Sequence, residues 1–169
     1  LTVDFFGTDL TDEARNDRID PVIWRDSETQ QVIYTLLRKT KSNPILIWEA
    51  WVGKTAIIEW LARRIANWDV PEKLKNKRIV MIDMWTVVAW TKYRGEFEAR
   101  IKAILDEACD PTLNIILFID EIHALMWAGW EWASDAANLL KPLLARWKLK
   151  IIWATTFDAC VVCFLYFFF

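Results

Sequence analysis

The run Ile115-Ile116-Leu117-Phe118-Ile119-Asp120-Glu121 decides how this chain folds. Its first five residues are apolar without alternation and rich in β-branched isoleucine. That is the pattern of a short strand covered on both faces, as in a parallel sheet with helices packed above and below. Two acids close the run. They fall at the carboxyl end of the strand, where open α/β sheets bind their ligands. Read alone, the pair Asp120-Glu121 is equally a solvated acidic turn.

Working outward, three further runs read as strands: Pro44 to Ile47 (P-I-L-I), Arg78 to Asp83 (R-I-V-M-I-D) and Leu149 to Ala154. Between them lie stretches of helical period. Lys54 to Asn67 carries Ile57, Ile58, Leu61 and Ile65, and Glu96 to Cys109 carries Phe97, Ile101, Ile104 and Leu105. Ser134 to Arg146 opens with Ser-x-x-Ala, and an N-terminal helix over Ser27 to Lys41 has Val32, Ile33, Leu36 and Leu37 as its buried stripe. Strands alternating with helices predict βαβ units and a parallel sheet, an α/β three-layer sandwich.

The turn after Pro44–Ile47 contains Val52-Gly53-Lys54-Thr55 and opens a helix. A Gly-Lys-Thr at that place is the end of a phosphate-binding loop. Backbone N–H groups and the helix N-terminus receive phosphate, the lysine reaches the outer phosphate oxygens, and the threonine hydroxyl ligates Mg²⁺. A bare G-K-T also occurs by chance at a helix start. Its place after a strand, with a strand ending in Asp120-Glu121 downstream, makes the two halves a single nucleotide site.

Bulk properties narrow the alternatives. With 54% hydrophobic and 26% charged residues, the 169-residue chain has the composition of one folded, soluble domain. A net charge of −2 with dispersed Lys and Arg carries no nucleic-acid or membrane-binding footprint. No charged n-region and cleavage site follows Leu1, so no secretory segment is expected. Cys160 and Cys163 form a C-x-x-C, but there is no second pair and His123 is the one histidine, whereas zinc normally takes four ligands. Buried or incidental cysteine is the better reading. The run Cys160 to Phe169 is too short to span a bilayer, which takes about 20 residues.

These motifs sit within a longer resemblance. Thr11 to Arg15 and Asp20-Pro21-Val22-Ile23-Trp24-Arg25-Asp26 resemble the entry segment of the Clp-type AAA+ ATPases. Asn43 to Ile47 and Lys54 to Ile57 resemble the surroundings of its P-loop (Walker A). Asp69-Val70-Pro71 is similar to the loop after the P-loop helix, and Lys92 to Glu98 to the axial pore loop. Leu117 to His123 resembles Walker B, Asp135 to Pro142 the helix that follows, and Ala154-Thr155-Thr156 the first sensor motif. The resemblance runs from about Leu10 to Asp158. It implies a P-loop NTPase fold, the large subdomain of the first nucleotide-binding module of a ring-forming unfoldase or disaggregase, over residues 1–158. Residues 159–169 form an apolar tail of uncertain assignment.

By this resemblance, Val22 and Ile23 contact adenine, and Trp51, Val52, Gly53, Lys54, Thr55 and Ala56 hold the phosphates of ATP. Thr55 and Asp120 serve Mg²⁺, Glu121 polarises the attacking water, and Thr156 senses the γ-phosphate. Tyr93 is the pore-loop aromatic that grips a translocating polypeptide. The implied partners are unfolded or aggregated polypeptides and identical subunits in a homo-hexamer, with no nucleic acid or membrane. The implied compartment is the cytoplasm, or an organellar matrix in a eukaryote. In the family, the arginine fingers, a further strand and the helical lid come after the position of Asp158. A chain of this extent is therefore expected to hydrolyse ATP poorly.

One feature departs from the family. The chain has 12 tryptophans and 4 glycines, where average usage puts glycine near ~7%. By the same resemblance, Trp24, Trp48, Trp51, Trp60, Trp68, Trp85, Trp90, Trp127, Trp130, Trp132, Trp147 and Trp153 all stand where the family has glycine. Such a one-directional set is not drift. It points to an engineered or mis-assigned chain. Each indole is expected to overpack its surroundings, at about 1–3 kcal/mol per site. Trp48 and Trp51 fall in the phosphate loop, where bare backbone must approach the ligand. Two readings therefore stand: an ATP-hydrolysing motor domain, and a scaffold of the same fold that no longer binds nucleotide.

Overall fold

In the computed structural model, which describes residues 1–20, 25–47, 53–89, 93–120, 138–142 and 149–156, the run Ile115–Asp120 is the central strand of a five-stranded sheet. The strands are β1 (Gly7–Asp9), β2 (Ile45–Ile47), β3 (Arg78–Asp83), β4 (Ile115–Asp120) and β5 (Ile151–Thr155), in spatial order β1-β3-β4-β5-β2. Four of them are parallel: Asp83 pairs with Asp120, Ile119 with Trp153, and Ile45 with Trp153 from the other side. The parallel sheet expected from sequence needs one correction. β1 is an antiparallel edge, with Thr8 opposite Met81.

Side chains alternate across the sheet and divide the core in two. Val80, Ile82, Leu117, Ile119, Ile151 and Trp153 share one apolar cluster with Phe97, Ile101, Ile104 and Leu105 of α7 (Arg94–Cys109). Ile79, Ile116, Phe118, Ile152 and Ala154 share the other with α3 (Asp26–Leu36) and α4 (Lys54–Ala66), through Val32, Ile33, Leu36, Ile57, Ile58, Leu61 and Ile65. The helical stripes legible in the sequence are the ones buried, Leu37 excepted, which is half-buried. Residues 138–142 are helical, within the helix expected from Ser134 to Arg146. Calls on residues 121–137, 143–148 and 157–169, including the tail, lie outside the described residues.

Several elements were not expected. α1 (Thr2–Phe6) precedes β1, and Glu107 of α7 accepts hydrogen bonds from the Thr2 and Val3 N–H groups, each at 2.8 Å. Burial pushes the Glu107 carboxyl up, but these donors outweigh it and hold it below the ordinary glutamate value. Gly7 lets β1 approach, since a Cβ there would lie 2.6 Å from a Val80 methyl and 2.7 Å from the Val3 carbonyl oxygen. α2 (Leu10–Arg15) is capped by Asp9, which accepts from Thr11 and Asp12 N–H at 3.0 Å. Thr11 is fully buried and its hydroxyl accepts from Ile79 N–H at 2.9 Å, supplying a partner to β3 where β1 has ended. Two short helices, α5 (Glu72–Lys75) and α6 (Met84–Ala89), complete the described part.

The helix expected over Ser27 to Lys41 ends at Leu36. Arg38 N–H closes a tight turn on the Thr35 carbonyl, and Lys41 takes a φ of +51°, which turns the chain back toward β2. The Lys150 ammonium donates to the Leu36 carbonyl at 3.2 Å, a cation at a helix C-terminus.

Four tryptophans lie among the described residues. Trp153 is 4% exposed in the core of β5, while Trp60 is half-buried and donates through Nε1 to Asp26 at 2.8 Å. Trp68 and Trp85 are exposed. Overpacking is therefore not the cost at Trp60, Trp68 or Trp85. At Trp68 the cost lies in the backbone. It has φ +61° just after α4, its N–H bonds the Ile65 carbonyl, and the next N–H, of Asp69, bonds the Arg64 carbonyl. That is a Schellman helix stop, whose left-handed residue is usually glycine. A side chain there costs roughly 1–2 kcal/mol. Trp68→Gly is expected to stabilise the chain by about 1 kcal/mol after the added unfolded-state freedom of glycine, raising Tm by roughly 2–4 °C. A thermal melt with an unchanged or lower midpoint would refute this account of Trp68.

Candidate functional site

The carboxyl ends of β2, β4 and β5 form one edge of the parallel sheet, and the expected site residues gather there. β2 ends at Ile47, and the loop that follows leads to Gly53 and α4. Gly53 is the N-cap residue of α4 with φ +80° and ψ 43°. A Cβ there would have room, its nearest neighbour being the Ala56 Cβ at 3.6 Å, so it is the left-handed backbone that requires glycine. Lys54 and Thr55 begin α4, whose first N–H groups have no acceptor within the helix.

Across the edge, Thr55 Oγ1 donates to Asp120 Oδ2 at 3.4 Å. The two residues are 65 apart in sequence, and both are half-buried. The separation is long for an O–H···O⁻ contact. The two oxygens are hard donors of the kind Mg²⁺ takes, close enough to serve one cation directly or through its waters. The donor set thus fits the implied metal.

β5 lies between β4 and β2 in the sheet, so Thr156, the half-buried residue just past its end, falls between Asp120 and the end of β2, the strand that precedes Gly53. Its neighbour Thr155, part of the sensor-like run but given no role from sequence, pairs with Ile47. Thr155 is 2% exposed, and its hydroxyl has no hydrogen-bond partner among the described residues. Asp83 was also passed over, although β3 ends in Ile-Asp as β4 does and the two aspartates are in register. Its carboxylate is taken up in capping α6, accepting from Trp85 N–H at 2.9 Å and Thr86 Oγ1 at 2.8 Å.

Tyr93 precedes α7 and is 71% exposed. The entry segment is tied to α4 by Arg63, which donates to the Ile19 carbonyl at 3.0 Å and to Asp17 at 3.4 Å. Val22, Ile23, Trp51, Val52 and Glu121 lie outside the described residues, so the adenine contacts, the loop body and the water-polarising acid are not placed. Among the described residues, no helix is long and apolar enough to cross a membrane.

Comparison with known proteins agrees with this geometry. Residues 49–159 match the model of the ATPase family associated with various cellular activities (AAA). The chain is 53% identical over 155 residues to chaperone protein ClpB 1 of Nostoc sp. (strain PCC 7120), covering 90% of this chain and 18% of that protein. It is 55% identical over 154 residues to chaperone protein ClpB of Meiothermus ruber, with the same coverage. The chain thus spans less than a fifth of the length of the curated relatives it matches. Among solved structures, a closed-state reconstruction of Hsp104 with ATPγS and FITC casein superposes with a TM-score of 0.86 at 43% identity, over 98% of this chain and 29% of that one. The S. cerevisiae Hsp104–ADP complex gives 0.84 at 44%, over 95% and 27%. With the family model spanning most of its length and its strand ends converging on Thr55 and Asp120, this chain belongs to the AAA family of ATPases, in which it is similar to the ClpB and Hsp104 chaperones.

Proposed function

We propose that this chain is the ATP-binding and ATP-hydrolysing motor domain of a ring-forming unfoldase or disaggregase chaperone. The observation that carries the reading is the Thr55–Asp120 contact, which joins the start of the phosphate-loop helix to the end of the central strand. The relatives add weight, being chaperones by name and, for Hsp104, solved with ATPγS or ADP and with casein. In this reading the backbone of Trp51, Val52, Gly53 and Ala56 and the Lys54 side chain hold the phosphates, and Val22 and Ile23 hold adenine. Thr55 and Asp120 hold Mg²⁺, which when bound neutralises phosphate charge. Glu121 orients the attacking water, and Thr156 reads the γ-phosphate. Tyr93, exposed before α7, is the residue that grips polypeptide in the pore of a homo-hexamer, and the parent protein works in the cytoplasm or an organellar matrix.

Asp120→Asn tests the metal assignment in a Trp48→Gly, Trp51→Gly background. The variant is expected to remove the gain in ATP affinity that Mg²⁺ confers while leaving metal-free binding near the parent level. Titration with a fluorescent ATP analogue, with and without EDTA, measures both. A Mg²⁺ response equal to that of the Asp120 parent would sink the assignment.

The second reading, a scaffold silent toward nucleotide, is favoured by Trp68. An indole at a left-handed helix stop is what a chain with tryptophan at glycine positions presents, and Trp48 and Trp51 belong to the same set. ATP titration of the unaltered chain separates the readings.

A further inference from the structure

At the opposite end of the sheet from Thr55 and Asp120, a cleft of about 270 Å³ opens between the end of α3, α5 and the amino ends of the central strands. Arg38, Lys39, Lys73, Lys77 and Lys150 line it over an apolar floor that includes Ile116, and among the described residues no acidic side chain contributes to the lining. Lys77 and Lys150 immediately precede β3 and β5. β4 runs six residues from Ile115 to Asp120, about 16 Å at the usual strand rise. This places the cleft well beyond a Debye length, ~8 Å at physiological salt, from the nucleotide site.

Two of these cations are held in place by neutral partners. Lys77 donates to Asn114 Oδ1 at 3.1 Å and Lys150 to the Leu36 carbonyl, both neutral acceptors. Among the described residues, none of the five cations forms an ion pair. The two half-buried ammoniums are destabilised as charges: burial lowers the Lys77 pKa, and burial followed by repulsion from Lys77 and Lys73 lowers that of Lys150. Desolvated cations without a counter-charge are costly, and an anion seated among them offsets both the desolvation and the mutual repulsion. Exposed Arg38, Lys39 and Lys73 at the rim would steer it inward.

We propose that this cleft is a second anion site, which takes a multiply charged phosphate-class oxyanion independently of the nucleotide site. Several lysine point charges around a concave wall suit a compact polyvalent anion. A single carboxylate would leave most of them unneutralised.

Calorimetric titration with inorganic tripolyphosphate, run on the full chain carrying Lys54→Ala to weaken the phosphate loop, tests the proposal. Binding is expected to persist in that variant and to weaken at least tenfold on adding Lys77→Gln and Lys150→Gln. A control pair of equal charge change on exposed residues elsewhere, Arg15→Gln and Lys102→Gln, is expected to change affinity less than threefold. Circular dichroism checks folding. If the Lys77, Lys150 pair does not fold, the exposed rim pair Lys39→Gln, Lys73→Gln carries the test with the same expected loss. No tripolyphosphate binding to the Lys54→Ala chain would overturn the proposal, as would equal losses in cleft and control variants. Binding of a poly-glutamate peptide in the absence of phosphate binding would overturn the phosphate assignment in favour of an acidic segment.

Discussion

Replacing both Trp48 and Trp51 by glycine is expected to raise ATP affinity at least a hundredfold, from weak or undetectable binding to the micromolar range. A phosphate loop works by bringing bare N–H groups to the ligand, which requires backbone conformations that a β-carbon disfavours. Gly53, in the same loop, has φ +80°. In the proposed reading, an indole at either of the other two positions opposes both requirements. A hundredfold change corresponds to about 2.7 kcal/mol, within reach of removing two such obstructions. The control is Trp68→Gly, because Trp68 is exposed just past the C-terminus of α4, at the end of that helix opposite Gly53. Trp153→Gly is unsuitable: its indole is buried in the core against α7, and removing it would leave a cavity and cost about 3–5 kcal/mol. Micromolar affinity in the unaltered chain, its twelve tryptophans confirmed by intact mass, would refute the steric argument.

With the loop restored, Glu121→Gln is expected to leave ATP binding within about threefold of the parent and to lower turnover by about 10²–10⁴. In the proposed reading the charge balance at the metal rests on Asp120 while Glu121 acts on the water alone, so binding and turnover should separate. Single-turnover hydrolysis of radiolabelled ATP, compared with binding on the same samples, makes the measurement. A parallel loss of both would assign Glu121 to the metal. Unchanged turnover would remove it from the reaction.

The two helix stripes that cover one face, Val32-Ile33-Leu36 and Ile57-Ile58-Leu61-Ile65, were legible because periodicity records which side of an element is buried. Four strands were legible because apolar runs of this length are affordable only between two covered faces. β1 was not, since Gly7-Thr8-Asp9 has no apolar pattern. It is a strand because Gly7 tolerates close contact with Val80 and because β3 offers an open edge. The early end of α3 was hidden for a related reason: Lys39 and Lys41 are good helix formers, and the turn back toward β2 overrides their propensity.

Composition and spacing by themselves determined the α/β class, the Gly53-Lys54-Thr55 loop and the acidic end of β4, because each depends on residues adjacent in the chain. The tertiary structure alone decided that β5 inserts between β4 and β2, that Thr55 reaches Asp120, that Thr155 is buried at the same edge with no hydroxyl partner among the described residues, and that five cations share a cleft at the other. Those facts join residues as far apart as Arg38 and Lys150. They are fixed by which strand edges pair and which faces pack, a balance of nonlocal free energies that no local pattern encodes.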